Sequence, residues 1–288
     1  MAKYIEYTKG AVPVIENMKP TTIDSGGYLK TPNLYARYLQ LRKNEVLEDS
    51  LENSTSHEFF VLKGSGQTIV HSEPEMIINW NKGDVFIIPY QEKGAKHISF
   101  EDNILIFKVD DSPLLNYLFC KPLGQKFLPT HFLHTDIMRE IEKYSQENSA
   151  SERNRNGVLL TTEQMMNEQL NTITHTLWSL YNKISPNSVQ EPHRHNSVAI
   201  DLCIEVDEEA SQNGLVYTLM GKDVDENNKI VDPIKMTWKK NNCFTTPPGW
   251  WHSHHNESQK PAWVFPIQDA GLHTYMQTLD ISFSQKSK

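Results

Sequence analysis

The sequence lacks long hydrophobic runs, has few cysteines and carries no excess of basic residues. No apolar run approaches the roughly 20 residues of a membrane-spanning helix, and residues 1–6 have no apolar stretch like that of a signal peptide. The three cysteines, Cys120, Cys203 and Cys243, are far apart and odd in number, so they predict neither a zinc ribbon nor a disulfide framework. Lys and Arg number 28 against 36 Asp and Glu, a formal net charge of −8, which argues against a general nucleic-acid-binding surface. We therefore expect a cytoplasmic protein that binds neither membranes nor nucleic acids.

Two regions of the chain contain the short apolar runs, separated by turns, that are typical of β-strands. In the first region, apolar runs at 59–62, 85–89 and 104–109 alternate with turns rich in Gly and Asp. In the second region, between 172 and 265, the same succession of strand, turn and strand recurs. With 288 residues and 38% hydrophobic content, the chain is long enough for one large or two small domains with a sizeable core. The pattern predicts an all-β protein with two repeats of one β-barrel.

A segment with helical spacing separates the two β regions. Ile137, Ile141 and Tyr144 recur at helical spacing, and Thr161 with Gln164 forms the signature of a capped helix start. The predicted organisation is an N-terminal barrel over 1–125, a helical linker over 126–170 and a C-terminal barrel over 171–288.

Two clusters of histidine in the second region carry most of the functional information. His193 and His195 are separated by one residue, so on a strand their side chains project to the same side of the sheet. In the second cluster, alternation places His252 and His254 on one face and His255 on the other. Neutral imidazole is the commonest metal ligand, and a site with three protein ligands leaves positions open for substrate. The two clusters together predict a catalytic metal site.

The segments around these histidines resemble a known family. The runs 61–66 and 80–89 resemble the generic core of a cupin barrel, so the chain resembles a double cupin, with two β-barrel or jelly-roll domains. The runs 176–178, 184–196 and 244–257 resemble the gentisate dioxygenase family, which includes the salicylate and hydroxynaphthoate ring-cleaving dioxygenases. The resemblance covers roughly a third of the chain and is strongest between 172 and 270.

The resemblance implies an Fe(II)-dependent cupin dioxygenase that acts on a small hydroxylated aromatic substrate and dioxygen. It implies that His193, His195 and His252 are the metal ligands, and that His254 lies beside the metal as a catalytic acid/base or hydrogen-bonding group. It also implies that Trp178 lines the substrate pocket. We further expect a homo-oligomer.

Three features of the sequence depart from the family pattern. Asp201 stands where the family has an Arg that holds the substrate carboxylate, and a carboxylate there would repel a carboxylate substrate. The metal-bearing barrel of the family comes first in the chain, whereas here it comes second. The Leu-Asp-Gly run of the family is replaced at 265–267, although Asp269 remains. Asp201 is therefore a candidate substrate-binding residue with a preference other than the family's.

Several alternatives remain open at this point. Imidazole ligands suit several divalent ions, so Mn, Ni and Zn are alternatives to Fe(II). Because a fold does not determine function, a metal-dependent isomerase, lyase or hydrolase is an alternative to the dioxygenase, as is a non-catalytic small-molecule-binding bicupin. Trp178 has a plain alternative as a core residue, and Asp201 as a salt-bridged strand residue.

The first barrel has two candidate ligands but no pair of histidines like His193 and His195. His57 lies near the position where many cupins carry a Glu ligand, and His97 lies near the position of the last ligand. The stretch 48–52 contains no histidine. We predict that the N-terminal barrel holds no metal.

Overall fold

The computed structural model describes residues 18–23, 27–51, 53–145 and 156–284. Residues 1–6, where no signal-like stretch is found, lie outside the described residues. The first part of the chain forms a run of strands and one helix: β1 (Thr22–Ile23), β2 (Tyr28–Lys30), β3 (Tyr35–Leu41), β4 (Val46–Asp49), β5 (Ser56–Lys63), β6 (Ser65–Val70), β7 (Met76–Asn81), β8 (Val85–Pro89), β9 (Ala95–Ser99), β10 (Ile104–Asp110) and α1 (Ser112–Leu118).

The middle segment contains two strands and two helices: β11 (Thr130–Phe132), α2 (His134–Ser145), β12 (Asn156–Leu160) and α3 (Glu163–Asn167). The last part forms the remaining elements: β13 (Trp178–Ile184), β14 (Ser188–His195), β15 (Ala199–Glu205), α4 (Glu208–Gln212), β16 (Val216–Gly221), β17 (Ile234–Thr237), β18 (Cys243–Thr246), β19 (Trp251–Asn256), β20 (Ala262–Gln268), α5 (Ala270–Tyr275) and β21 (Ile281–Phe283). None of the helices in the described ranges is long and apolar enough to cross a membrane.

The strands form two barrels, each built from two antiparallel sheets. The first barrel combines a sheet of order β11-β8-β5-β10-β3-β2 with a sheet of order β4-β9-β6-β7. The second combines a sheet of order β1-β18-β15-β20-β13-β12 with a sheet of order β17-β16-β19-β14-β21. The predicted all-β, two-barrel architecture is therefore confirmed.

Some strands pair differently from the predicted division into two barrels and a linker. Strand β1 lies in the range predicted for the first barrel, 1–125, but pairs with β18 of the second barrel. Within the segment predicted as a helical linker, 126–170, β11 pairs with β8 of the first barrel and β12 pairs with β13 of the second. Helices α2 and α3 lie in the same segment. The chain therefore links the barrels by exchange of edge strands as well as by helices.

The larger sheets of the two barrels share one hydrophobic core. Strands β8 and β10 are buried along their whole length, because one face lines the first barrel and the other packs against the second. Phe60 of the first barrel and Phe265 of the second are in edge-to-face contact, with ring centroids 5.0 Å apart. Contacts between aromatic rings at such separations stabilise a core beyond the area they bury. The two barrels are thus held as one packed unit.

A buried carboxylic acid lies at this contact between the barrels. Glu58 of β5 is 0% exposed, and its Oε2 accepts a hydrogen bond from Ser179 Oγ of β13 at 2.8 Å. Its other oxygen, Oε1, has no hydrogen-bond partner among the described residues. Burial raises the pKa of Glu58 to about 8, against the smaller opposing effect of the Ser179 hydrogen bond. Glu58 therefore keeps its proton in the folded protein at neutral pH.

We expect replacement of Glu58 with Gln to stabilise the protein increasingly as pH rises. Between the ordinary value of 4.5 and about 8, the folded state holds a proton that the unfolded state has lost, so the stability of the unmodified protein falls as pH rises through this window. The amide has the shape and neutral charge of the protonated acid. The difference in unfolding free energy should grow by roughly 3 kcal/mol between pH 5 and pH 8, as measured by urea unfolding.

The exposed residue Glu226 provides the matched control, since its replacement with Gln should change stability equally little at both pH values. A Glu58→Gln variant whose stability relative to the unmodified protein is the same at pH 5 and pH 8 would contradict the assignment.

Candidate metal centre

Strand pairing in the second barrel brings the two histidine clusters together. Strand β14 lies between β19 and β21, with His193 opposite His252. The pairing shifts register between Gln190 and His193, a bulge of the kind that redirects side chains near functional sites. The turn before β19 is tied to the same strand, because the N–H of Gly249, at a φ of 75° that favours glycine, donates to the His195 carbonyl at 2.7 Å.

Four buried histidines meet at this point, with His252 in the middle. Its ring centroid lies 4.0 Å from that of His193, 4.9 Å from that of His195 and 5.8 Å from that of His254. Ligand atoms of His193, His252 and His254 lie within 4.8 Å of one another, as they would around one metal ion. The structure thus places together all four histidines that the sequence analysis singled out. The set of three with the closest ligand atoms contains His254 in place of His195, which was expected to be a ligand.

The hydrogen bonds of three histidines fit the requirements of a metal site. The Nδ1 atoms of His193, His195 and His252 lie 3.4, 2.9 and 3.1 Å from the backbone carbonyls of Glu191, Ser197 and Trp250. A carbonyl only accepts, so in these contacts each Nδ1 carries the proton and Nε2 is left with the lone pair that a metal needs. A set of three neutral imidazoles held in this tautomer fits a divalent first-row ion.

His254 has a different partner. Its Nδ1 lies 2.8 Å from Thr218 Oγ1, and that hydroxyl accepts a hydrogen bond from Trp238 Nε1 at 2.8 Å. A hydroxyl can either donate to Nδ1 or accept from it. The tautomer of His254 is therefore not fixed by a carbonyl, and its Nε2 can either hold or give up a proton.

The histidines form one wall of a cavity of about 240 Å³. A cavity of about 150 Å³ can hold a benzene ring, so this space suits a single substituted ring. No Lys or Arg is among the lining residues that the structure describes. The lining consists of these histidines together with Gly157, Trp178, Leu180, Asn182, Gln190, Asp201, Pro266, Gln268, Ala270, Leu279, Ile281 and Phe283.

Asp201 contributes the carboxyl group of this cavity. It is 3% exposed, and its Oδ2 accepts a hydrogen bond from Thr246 Oγ1 at 2.5 Å. Burial raises the pKa of Asp201 to about 7, opposed by the Thr246 hydrogen bond. Asp201 forms no ion pair with any residue in the described part of the chain. Trp178, the other predicted substrate-binding residue, also lines the cavity.

Sequence reasoning missed the carboxamides and the last strand of the cavity. Asn182 and Gln190 exchange hydrogen bonds of 3.2 and 3.3 Å, and Gln268 accepts one from Ser197 Oγ at 2.7 Å. Alternation counted from His193 and His195 would place Gln190 on the opposite face of β14. The register shift between Gln190 and His193 brings it to the cavity, and no local signal indicates that shift. Strand β21 lies against β14 with Phe283 opposite His193, and nothing local in its sequence indicates that contact.

Comparison with known proteins gives structural matches only. No family model and no curated protein sequence matches the chain. The salicylate 1,2-dioxygenase from Pseudaminobacter salicylatoxidans is similar with a TM-score of 0.64 at 10% identity, over 88% of this chain and 75% of that chain. A mutant of that enzyme in complex with gentisate is similar with a TM-score of 0.65 at 10% identity, over 89% and 74%.

A second kind of enzyme shares the architecture. A deletion mutant of oxalate decarboxylase from Bacillus subtilis is similar with a TM-score of 0.56 at 12% identity, over 92% of this chain and 78% of that chain. At such identities the similarity is one of fold. The chain therefore has the double-cupin fold.

Proposed function

We propose that the protein is an Fe(II)-dependent cupin dioxygenase that acts on a small hydroxylated aromatic compound. The observation that carries the proposal is the set of three imidazoles, His193, His195 and His252, whose Nδ1 contacts with carbonyls favour the ligand tautomer, at the wall of a ring-sized cavity. When bound, a divalent ion supplies open positions for a substrate oxygen and dioxygen and stabilises negative charge that develops there.

The remaining work falls to the side chains around the cavity. The carbonyl contacts of the three ligand histidines hold the imidazole planes in place, which keeps the site ordered. Trp178, Leu180 and Phe283 supply apolar walls that enclose a ring and exclude water. Asp201 and the neighbouring carboxamides offer hydrogen bonds to polar groups of the substrate.

His254 is assigned to proton transfer. Its ligand atom lies within 4.8 Å of those of His193 and His252, but its contact with Thr218 lets both tautomers form. With Nδ1–H donating to Thr218 Oγ1, the Nε2 of His254 accepts the proton of a substrate hydroxyl. His254 differs from the three ligands in that its Nδ1 lies against the Thr218 hydroxyl rather than against a backbone carbonyl.

Oxygen consumption tests the proposed reaction. Fe(II)-loaded protein is mixed with a panel of small hydroxylated aromatic compounds in an oxygen electrode, with product analysis in parallel under nitrogen. The proposal predicts substrate-dependent uptake of dioxygen and no turnover under nitrogen. Turnover without dioxygen would identify an isomerase, lyase or hydrolase instead, and a compound that binds without turnover in either condition would identify a binding protein.

We expect Trp178→Ala to raise KM by roughly tenfold to a hundredfold, because removal of a large aromatic wall costs about 1–3 kcal/mol of binding. Metal content should not change, since Trp178 lines the cavity without being a ligand candidate. Steady-state kinetics and elemental analysis check both points. Trp263→Ala is the control, since Trp263 packs against Tyr181 and does not line the cavity. An unchanged KM for Trp178→Ala would assign this residue to the core.

A further inference from the structure

The first barrel repeats the hydrogen-bonded unit that holds His254 in the second. Thr68 Oγ1 accepts a hydrogen bond from Trp80 Nε1 at 2.9 Å and lies 2.8 Å from His97 Nδ1. The corresponding residues of the second barrel are Trp238, Thr218 and His254. Thr68 pairs with His97 across the strands, as the corresponding threonine pairs with its histidine. The frame of the metal centre is therefore present in both barrels.

This correspondence defines the position of His97, which was expected near that of the last ligand. Because His97 takes the place of His254, the place of His252 is two residues earlier, at Ala95. Ala95 lies opposite Asp49, as His252 lies opposite His193. Asp49 therefore stands where the second barrel has its first ligand histidine.

Lys108 enters the first barrel where the second barrel has a cavity-lining proline. Each barrel contains a Phe-x-x-Pro segment, at 86–89 in the first and at 244–247 in the second. Phe59 lies opposite the Phe of the first segment and Asp201 opposite the Phe of the second, so Phe59 and Asp201 occupy equivalent positions. Lys108 lies opposite Phe59, as Pro266 lies opposite Asp201. Pro266 lines the cavity of the second barrel, so Lys108 occupies the equivalent position in the wall of the first barrel.

The ammonium group of Lys108 lies among the groups that would surround a metal ion. Lys108 is 0% exposed, and its Nζ lies 2.5 Å from Asp49 Oδ2 and 5.2 Å from the centre of the Phe59 ring. The Nε2 of His97 lies 3.5 Å from the same carboxylate oxygen.

Arg37 adds a second cation nearby and is paired with Asp110 at 3.0 Å. Two cations thus face two carboxylates, and the charges balance without an ion.

Two buried histidines interact electrostatically with Lys108. Burial lowers the pKa of the His57 and His97 imidazoles, with the charge of Lys108 acting in the same direction and the Asp49 carboxylate in the opposite one. The Nε2 of His97 faces the Asp49 carboxylate, and a neutral imidazole beside a carboxylate is a donor set that a first-row divalent ion uses.

We propose that the Lys108 ammonium occupies the cation position of the first barrel, so that this barrel is a metal site closed by its own lysine. Replacing Lys108 with a short neutral residue removes the charge and vacates the space beside Asp49. A divalent ion such as Co²⁺ or Zn²⁺ then binds there through Asp49 and His97, whose donor atoms lie 3.5 Å apart. The lysine thereby confines metal binding in this chain to the second barrel.

Co²⁺ binding tests the proposal, with stoichiometry and visible absorption as the readouts. Lys108→Ala should bind one more Co²⁺ per chain than the unmodified protein, and the double variant Lys108→Ala/Asp49→Asn should lose that extra ion. A folded Lys108→Ala variant with no extra ion would overturn the proposal. The readout is the difference in bound Co²⁺ between the Lys108→Ala variant and the unmodified protein, so the outcome does not depend on whether the second barrel binds metal.

A second measurement keeps Lys108 in place, in case the alanine variant does not fold. In His252→Ala protein, whose first barrel is unaltered, the proposal predicts that no Co²⁺ is retained by the groups around Lys108. Binding of a Co²⁺ that is then lost on replacing Asp49 with Asn would show that the lysine does not close the site.

Discussion

Replacing His252 with Ala should remove bound metal and activity while the fold persists. His252 is the central ring of the cluster, with centroids of the other three histidines at 4.0 to 5.8 Å, so no other single change takes a donor from the middle of the site. Loss of a hydrogen bond to a ligand costs about 10–100-fold in metal affinity, and loss of the ligand itself should exceed about 100-fold. Elemental analysis and oxygen uptake measure the two effects.

His255→Ala is the matched control on the same strand. Its ring faces away from the cluster, stacked on Tyr217 with centroids 4.7 Å apart and within 2.8 Å of Ser253 Oγ. This variant should keep its metal and its activity. Full metal occupancy in His252→Ala, with the fold verified by circular dichroism, would contradict the assignment of the site.

Carboxylated substrates such as gentisate and salicylate should be poor ligands of this protein, and Asp201→Asn should improve their binding. The cavity has a carboxyl group at Asp201 and no cationic side chain among its described lining residues. Arg37 does not supply a positive charge to this cavity, because it is paired with Asp110 in the first barrel. A compound with a hydroxyl or amine directed at Asp201 gains a charge-assisted hydrogen bond when this group is ionised.

The expected size of the Asp201 effect grows with pH. Two carboxylates close together in a partly desolvated cavity repel by on the order of several kcal/mol, so Asp201, whose pKa is about 7, takes up a proton when a carboxylate binds beside it. This uptake costs about tenfold in affinity for each pH unit above 7. At pH 8.5 gentisate should therefore bind at least roughly tenfold more tightly to Asp201→Asn than to the unmodified protein, at pH 6 the two should bind it about equally, and Asp201→Arg should bind it more tightly than either. Calorimetry under nitrogen gives these affinities without turnover. Tight gentisate binding by the unmodified protein, unchanged in both variants, would show that Asp201 does not set specificity.

The fold was predictable because the pattern of apolar residues along each strand indicates which of its faces are buried. The run 85–89 is apolar throughout and becomes β8, buried on both faces between the barrels, while the alternating β6 has one face inward and one outward. Local patterns of this kind do not say which strand lies next to which. Strand β1 pairs with β18 through only two residues, and the paired residues are more than 200 positions apart in the sequence. No local signal indicates this pairing.

The same reason separates the predictable and unpredictable parts of the site. His193 and His195 could be placed on one face from their spacing alone, and the structure also places His252 and His254 beside them. Spacing alone could not show which histidine of the second barrel corresponds to His97. A shift of two residues keeps a side chain on the same face of its strand but places it opposite a different residue. The burial of Lys108 against Asp49 depends on two strands that are not adjacent in the sequence, so the cation of the first barrel becomes visible only in the folded chain.

Anomalous diffraction at the iron absorption edge, from crystals of Fe(II)-loaded protein, locates the metal directly. We predict one peak per chain, in contact with imidazole nitrogens of His193, His195 and His252, and no peak beside Asp49 and His97 in the first barrel. An iron peak in the first barrel would contradict the assignment of the metal centre. Crystals of fully active protein with no peak at the four histidines of the second barrel would contradict it as well.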